Sequence, residues 1–318
     1  MRPPGPILPL MRSETRTRYW APVEHNSTLT AELELIGSNK KVLEIGPGSG
    51  HLTEALARNG CAVTCVEVDE HLPSIARQFC QRIIIADIEQ LNPEQAFSSE
   101  RFDVILVGDV LEHLKDPHSV LSKLRGYLTP EGRVVGSVPN IAHGSIRLAL
   151  LAGCFDYTEE GLLDRTHLRF FTRASLITLL KGAGYQICDL RRTRVGVFST
   201  EVELSIDQVW VPALRRVMRD SEATTYQFIF AAVPLHGAAG ETAIKAFQFA
   251  DPTWSSSKGI NRLARTLMRK GRALHRKSRH RDAIAWLYRS FALRPRLQTA
   301  VYLLVCCVSG LWRRRAQP

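Results

Sequence analysis

Several features are scarce in this 318-residue sequence, and each scarcity removes a class of protein. No run reaches the roughly 20 apolar residues that a membrane-spanning helix needs. The seven cysteines (61, 65, 80, 154, 188, 306 and 307) are odd in number and contain no Cys-x-x-Cys pair. Cys61 and Cys65 fall in an apolar strand region, so a reduced cytoplasmic protein is expected rather than one built on disulfides. At the N-terminus Pro3, Pro4, Pro6 and Pro9 break the apolar run that a signal peptide requires, and residues 1–20 read as a disordered leader. Acids nearly vanish at the other end. From Ser255 to Pro318 there are 16 Lys/Arg and a single acid, Asp282. Removing these from the totals of 42 basic and 31 acidic residues leaves 26 and 30 for positions 1–254, a net of −4. The tail alone therefore makes the chain basic, at +11 overall.

What remains is an ordinary globular composition, 45% hydrophobic and 23% charged. The length holds one full α/β domain and something smaller. The chain is organised around Lys41-Val42-Leu43-Glu44-Ile45-Gly46-Pro47-Gly48-Ser49-Gly50, an apolar strand running into a glycine turn and then a helix. Glycines there let a ligand approach the backbone closely, at the sheet edge where open parallel sheets bind cofactors. A dinucleotide fingerprint would need its third glycine at position 51, which is His. A P-loop would need Gly-Lys-Ser/Thr after the turn, and there is none. Glu44 would repel a pyrophosphate but suits a ligand carrying an ammonium and a sulfonium, namely S-adenosylmethionine. The stretch resembles motif I of class I S-adenosylmethionine-dependent methyltransferases.

Further strands are expected at Ala62–Glu67, Arg82–Asp87, Phe102–Gly108 and Arg133–Val138, alternating with amphipathic helices. Tyr185–Val197 and Tyr226–Val233 are expected to close the sheet as an antiparallel hairpin. This pattern implies a Rossmann-like seven-stranded α/β sheet with helices on both faces, over residues 21–236. A helix from Ser27 to Leu35 would cap the site. Strand ends supply chemistry for each part of the expected cofactor. Gly46, Pro47, Gly48 and Gly50 form the turn, and Glu67 offers acceptors to both ribose hydroxyls. Asp87 faces the adenine amino group, with Val68 and Ile88 on the ring faces. Asp109 lies beside the methionine moiety.

Regular alternation lapses over about 141–171, an aromatic, mixed-charge insertion expected to meet the acceptor. Asp109-Val110-Leu111-Glu112-His113-Leu114 and Ser137-Val138-Pro139-Asn140 resemble a methyltransferase subgroup that includes the ubiquinone-pathway O-methyltransferases and enzymes of bacterial surface-polysaccharide clusters. Asp164 to Thr172 is similar to the polysaccharide-associated members. Methyl transfer needs the acceptor positioned and its proton removed, and His167 and His113 are the candidate bases. His113 reads equally as a helix-start residue satisfied by a local carbonyl. Asp109, Glu112, His113 and His167 also match the metal-holding positions of small-RNA 3′-end methyltransferases. Two histidines make an unusual magnesium site, however, and Asp109 stands where that pattern has Glu.

After a linker over 237–258, residues 259–318 read as a basic helical extension. Gly271 to Pro295 resembles one tetratricopeptide-like helix pair, which cannot stack a core alone. Leu297 to Trp312, edged by arginines, suits a helix lying on an anionic membrane surface, or else an ordinary packed helix. Nucleic acid is disfavoured, because the sheet domain is acidic and lacks a basic–aromatic surface. The expectation is O-methylation of a sugar, glycan or other small hydroxylated acceptor. A quinone-pathway phenol is the first alternative, and a non-catalytic S-adenosylmethionine-binding scaffold is the second.

Overall fold

The computed structural model describes residues 27–71, 75–204, 209–235, 256–277 and 279–293, with 299, 300, 302, 303 and 306 beyond them. The expected leader over 1–20 lies outside the described residues, as does most of the expected linker. Helix α1 (Thr28–Ile36) starts on Ser27, whose side chain accepts from the Thr30 N–H. Strand β1 (Lys41–Ile45) leads into the glycine turn and α2 (His51–Arg58). Then come β2 (Ala62–Glu67), the single-turn α3 (Ala76–Phe79) and β3 (Arg82–Ile85). A short α4 (Pro93–Phe97) precedes β4 (Phe102–Gly108). The 3₁₀ turn Leu111–His113 follows, then α5 (Pro117–Leu124) and β5 (Leu128–Pro139). After α6 (Gly144–Leu151) and α7 (Arg173–Gly182), β6 (Tyr185–Arg194) and β7 (Thr225–Pro234) close the sheet around α8 (Val211–Val217).

The seven strands lie in the order β3-β2-β1-β4-β5-β7-β6. The first five are parallel and β7 is antiparallel to both neighbours. Both faces are covered, which explains why the strands are apolar throughout. Val42, Val104, Leu106 and Val135 pack under α1 and α2 on one face, with Leu35, Ile36 and Leu56. On the other, Ile105, Val107 and Val134 meet Leu121 and Leu124 of α5 and Leu176 and Leu180 of α7. Buried Tyr185 ties β6 to α5 by donating to the Leu121 carbonyl at 2.9 Å.

Several boundaries differ from expectation for local reasons. β3 stops at Ile85, because Asp87 turns to accept from the Glu89 N–H and the Gln90 amide. β5 starts at Leu128 rather than Arg133, since the Pro130-Glu131-Gly132 turn bulges out of a strand already paired at Leu128. Helix α9 (Ser256–Arg276) starts inside the expected linker and pairs with α10 (His280–Leu293). These helices do not stand apart from the sheet domain. Ala264, Leu267 and Trp286 join Leu148, Val197, Leu214 and Val217 in one apolar cluster. Leu303 and Cys306 pack on Ala283 and Leu287. Leu304, Val305 and Trp312, further apolar residues of the expected surface helix, lie outside the described residues. No helix among the described residues is long and apolar enough to cross a membrane.

Candidate functional site

The glycine turn has the backbone its sequence demands. Gly46, Gly48 and Gly50 all have positive φ, at 65°, 50° and 84°, a region costly for side chains with a Cβ. The three differ in what surrounds them. A Cβ on Gly50 would stand 2.3 Å from the Ala76 nitrogen, whereas one on Gly48 meets nothing within 4 Å. Gly50 is thus needed by the fold, whereas Gly48 borders open space. Pro47 is buried beneath the turn. Glu67, only 5% exposed, holds the rim together. Its carboxylate accepts from the Gly48, Val68 and Asp69 N–H groups at 3.4, 2.7 and 3.0 Å. Val68 beside it is 70% exposed and free to cover a ring, while Ile88 is packed into the main core.

Glu44 lies on the strand that leads into the turn and bonds to the first turn of the helix that follows it. It is buried, and its Oε2 accepts from the Thr53 hydroxyl at 2.7 Å on the α2 side of the sheet. Burial pushes its carboxyl up to about 7. A second buried acid, Glu32 of α1, is absent from the residues expected at the site. Its Oε1 has no hydrogen-bond partner and occupies the space that a side chain on Gly108 would fill. Burial, and next the charge of Asp109, push it up to about 8. A signal for it does exist: Glu32 shares the i, i+3, i+4 stripe with buried Leu35 and Ile36, where an acid is out of place.

At the end of β4, Asp109 has a positive φ of 49° and accepts from Ser137 Oγ at 2.8 Å and Gln227 Nε2 at 2.9 Å. It opens on a cavity of about 680 Å³, also lined by Glu112, His113, Asp164, His167, Thr200 and Tyr226. The insertion is latched onto this strand end, because the Glu112 carbonyl accepts from the Leu168 and Arg169 N–H groups at 2.8 and 2.9 Å. Asp164 shapes the turn by accepting from the Thr166 N–H and hydroxyl. Buried Asn140 has a structural task, with its amide donating to the Thr225 carbonyl and its oxygen accepting from Ala142.

The latch brings His113 and His167 together, with ring centroids 4.9 Å apart. His113 Nδ1 faces the Thr166 carbonyl and the Thr166 hydroxyl, whose own proton goes to Asp164. Both neighbours accept, so in the neutral ring the proton sits on Nδ1 and the lone pair on Nε2. His167 bonds to the Leu162 backbone, and its buried Nδ1 has no partner, which leaves a lone pair there too. Burial, then the neighbouring His113, lower its pKa and keep this ring neutral at pH 7. Both carboxylate oxygens of Glu112 are likewise buried without partners. Glu112, His113 and His167 each offer a ligand atom within 4.8 Å of the others. Three convergent electron-pair donors suit either a transferred proton or a cation. Asp109 borders this group without belonging to it.

The family profile described as "Methyltransferase domain" matches residues 14–190, more than half of the chain. A ubiquinone biosynthesis O-methyltransferase of Xanthomonas axonopodis pv. citri is 31% identical over 172 residues, covering 51% of this chain and 68% of that protein. The enzyme of the same name from Coxiella burnetii is 26% identical, covering 64% of this chain and 84% of its own. A third, from Histophilus somni, is 31% identical, but the match spans only 57% of its length. Among solved structures, a magnesium protoporphyrin IX methyltransferase from Synechocystis aligns at a TM-score of 0.42 and 21% identity, covering 65% of this chain and 78% of its own.

Proposed function

The chain belongs to the methyltransferase-domain family, and from that premise we propose that it O-methylates a small hydroxylated acceptor bound in the cavity beneath the insertion. S-adenosylmethionine is its cofactor and, when bound, supplies a methyl group already activated on sulfur. The Gly46–Gly50 turn, Glu67 and Val68 would hold it. The chain's own task is to orient the acceptor and take its proton as the oxygen gains the methyl group. The observation that carries this reading is the pair of free imidazole lone pairs, His113 Nε2 and His167 Nδ1, beside the cavity.

Support for a sugar or glycan acceptor comes from the lining, where Asp109, Glu112 and Asp164 offer acceptors to hydroxyl donors. A quinone-pathway phenol is the second reading. The names of the relatives favour it, as do Phe155, Tyr157 and Leu168, which are 40–55% exposed on the insertion next to Phe170. The same three donors would also suit a divalent cation. Two imidazoles and one carboxylate favour a transition ion over magnesium.

Methyl transfer from labelled S-adenosylmethionine to nucleotide sugars, lipid-linked glycans and catechols tests the function. Product from at least one hydroxylated class, with none from thiol or amine analogues, is expected. Transfer only to nitrogen or sulfur would overturn the O-methylation reading. Metal analysis of the purified protein, with activity before and after chelation, separates the proton reading from the cation reading.

A further inference from the structure

Outside the methyl-transfer site, and beyond residue 190 where the family match ends, a second cavity of about 410 Å³ lies between α8 and α10. Arg215, Arg216 and Arg219 line one wall, and Tyr288 of α10 lines the other. Two of these arginines stand in the last turn of α8, where they also offset its carbonyl end. That role needs positive charge but does not need three guanidinium groups around one cavity.

The acids nearest in sequence are already engaged. Asp220 pairs with Arg147 at 2.7 Å, and Glu222 pairs with Arg173 at 2.7 Å. Arg216 feels the field of Asp220, but among the described residues Arg215 and Arg219 have no acidic partner. The cavity therefore gathers three cationic forks, two of them without an acidic partner among the described residues. Guanidinium forks match phosphate oxygens in charge and in geometry. Tyr288, 58% exposed, adds a phenol at the rim, and Trp210, 73% exposed, immediately precedes α8.

We propose that Arg215, Arg216 and Arg219, faced by Tyr288, bind a phosphate group, carried by a soluble phosphoryl compound or by an anionic lipid head. The basic helical extension then has a defined task, since α10 supplies one wall of the site. The site is independent of the methyl-transfer reading.

Two probes test it with the full chain: inorganic pyrophosphate by calorimetry, and phosphatidylcholine vesicles with and without phosphatidylglycerol by co-sedimentation. The variant Arg215→Gln/Arg219→Gln is compared with Arg265→Gln/Arg269→Gln, which removes equal charge from exposed positions of α9. Wild type should bind at least one probe. The first pair should weaken that binding by roughly tenfold or more, with the second pair near wild type. Pyrophosphate binding identifies a soluble source, and binding confined to phosphatidylglycerol vesicles identifies a lipid source. Retained S-adenosylhomocysteine binding reports an intact fold. Should the arginine pair lose it, Tyr288→Ala takes its place and should also weaken the probe. The proposal fails if wild type binds neither probe, or if the α9 pair loses as much as the cavity pair.

Discussion

The carboxyl edge of the sheet and the α8–α10 layer use charge in opposite ways. At the sheet edge, acids are buried. Glu32, Glu44 and Glu112 are at most 4% exposed, and two of them have oxygens without partners. In the helical layer, bases sit at the surface, where water solvates them and salt screens them. Burying a carboxylate is costly unless it is neutral or meets a positive partner. Such expense at a strand end is characteristic of a functional site. Surface arginines cost little, so the basic layer is informative only where several share a cavity without acids. The two regions should therefore respond differently to substitution, to pH and to salt.

The sharpest contrast is expected from His167→Ala. Removing a general base lowers turnover by roughly 10²–10⁴-fold. S-adenosylmethionine affinity and melting temperature should barely change, because His167 is partly exposed on the acceptor side. Unchanged turnover at saturating substrate would shift the role to His113 or to solvent.

Gly50→Ala should act in the reverse manner. Its Cβ would collide with the Ala76 backbone at a φ of 84°, a strain of about 1–3 kcal/mol before any clash is counted. Denaturant unfolding should show a loss of at least that size. Stability within 0.5 kcal/mol of wild type, roughly the scale of a surface change, would contradict the packing of the turn against α3.

The buried acids make a prediction about pH. Glu44 and Glu32 are raised from 4.5 to about 7 and about 8 in the folded protein. The folded state keeps protons that the unfolded chain releases. Their contribution to stability is therefore complete below about pH 4.5 and is lost as pH rises through 7 and 8. The loss in the ligand-free protein should be on the order of a few kcal/mol, since a tenfold difference in proton affinity between the two states is worth about 1.4 kcal/mol. Unfolding measured from pH 5 to pH 9 should show this slope, and Glu32→Gln should flatten it. An identical slope in the variant would remove Glu32 from the account.

The smallest effect belongs to the surface of the basic layer. Arg265→Gln should change stability by less than about 0.5 kcal/mol at any salt concentration. A larger, salt-dependent loss would mean that α9 docks through charge rather than through Ala264 and Leu267.

Legibility in the sequence follows the same division. β1, β2 and β4 are readable because they are apolar runs buried on both faces, and the glycine turn is readable because a positive φ selects for glycine. The meeting of His113 with His167 can be inferred only through resemblance. It depends on two backbone N–H groups of the insertion finding the Glu112 carbonyl, which no periodicity encodes. Glu44 lies on the expected strand, but its bond to Thr53 of α2 is not legible in the sequence. A strand buried on both faces gives no alternation from which to read direction. Helix α8 falls in a stretch that reads only as a spacer between the closing strands. Its arginines gain meaning only once α10, some 70 residues later, packs beside them.

The central claim is that the turn around Gly48 holds the cofactor, and one comparison tests it most directly. Calorimetric titration of S-adenosylmethionine and S-adenosylhomocysteine into the full chain should show saturable binding of both. Gly48→Val should abolish it while keeping a cooperative unfolding transition, because its side chain fills open space instead of the core. Binding by Gly48→Val as tight as wild type would place the cofactor elsewhere and contradict the account.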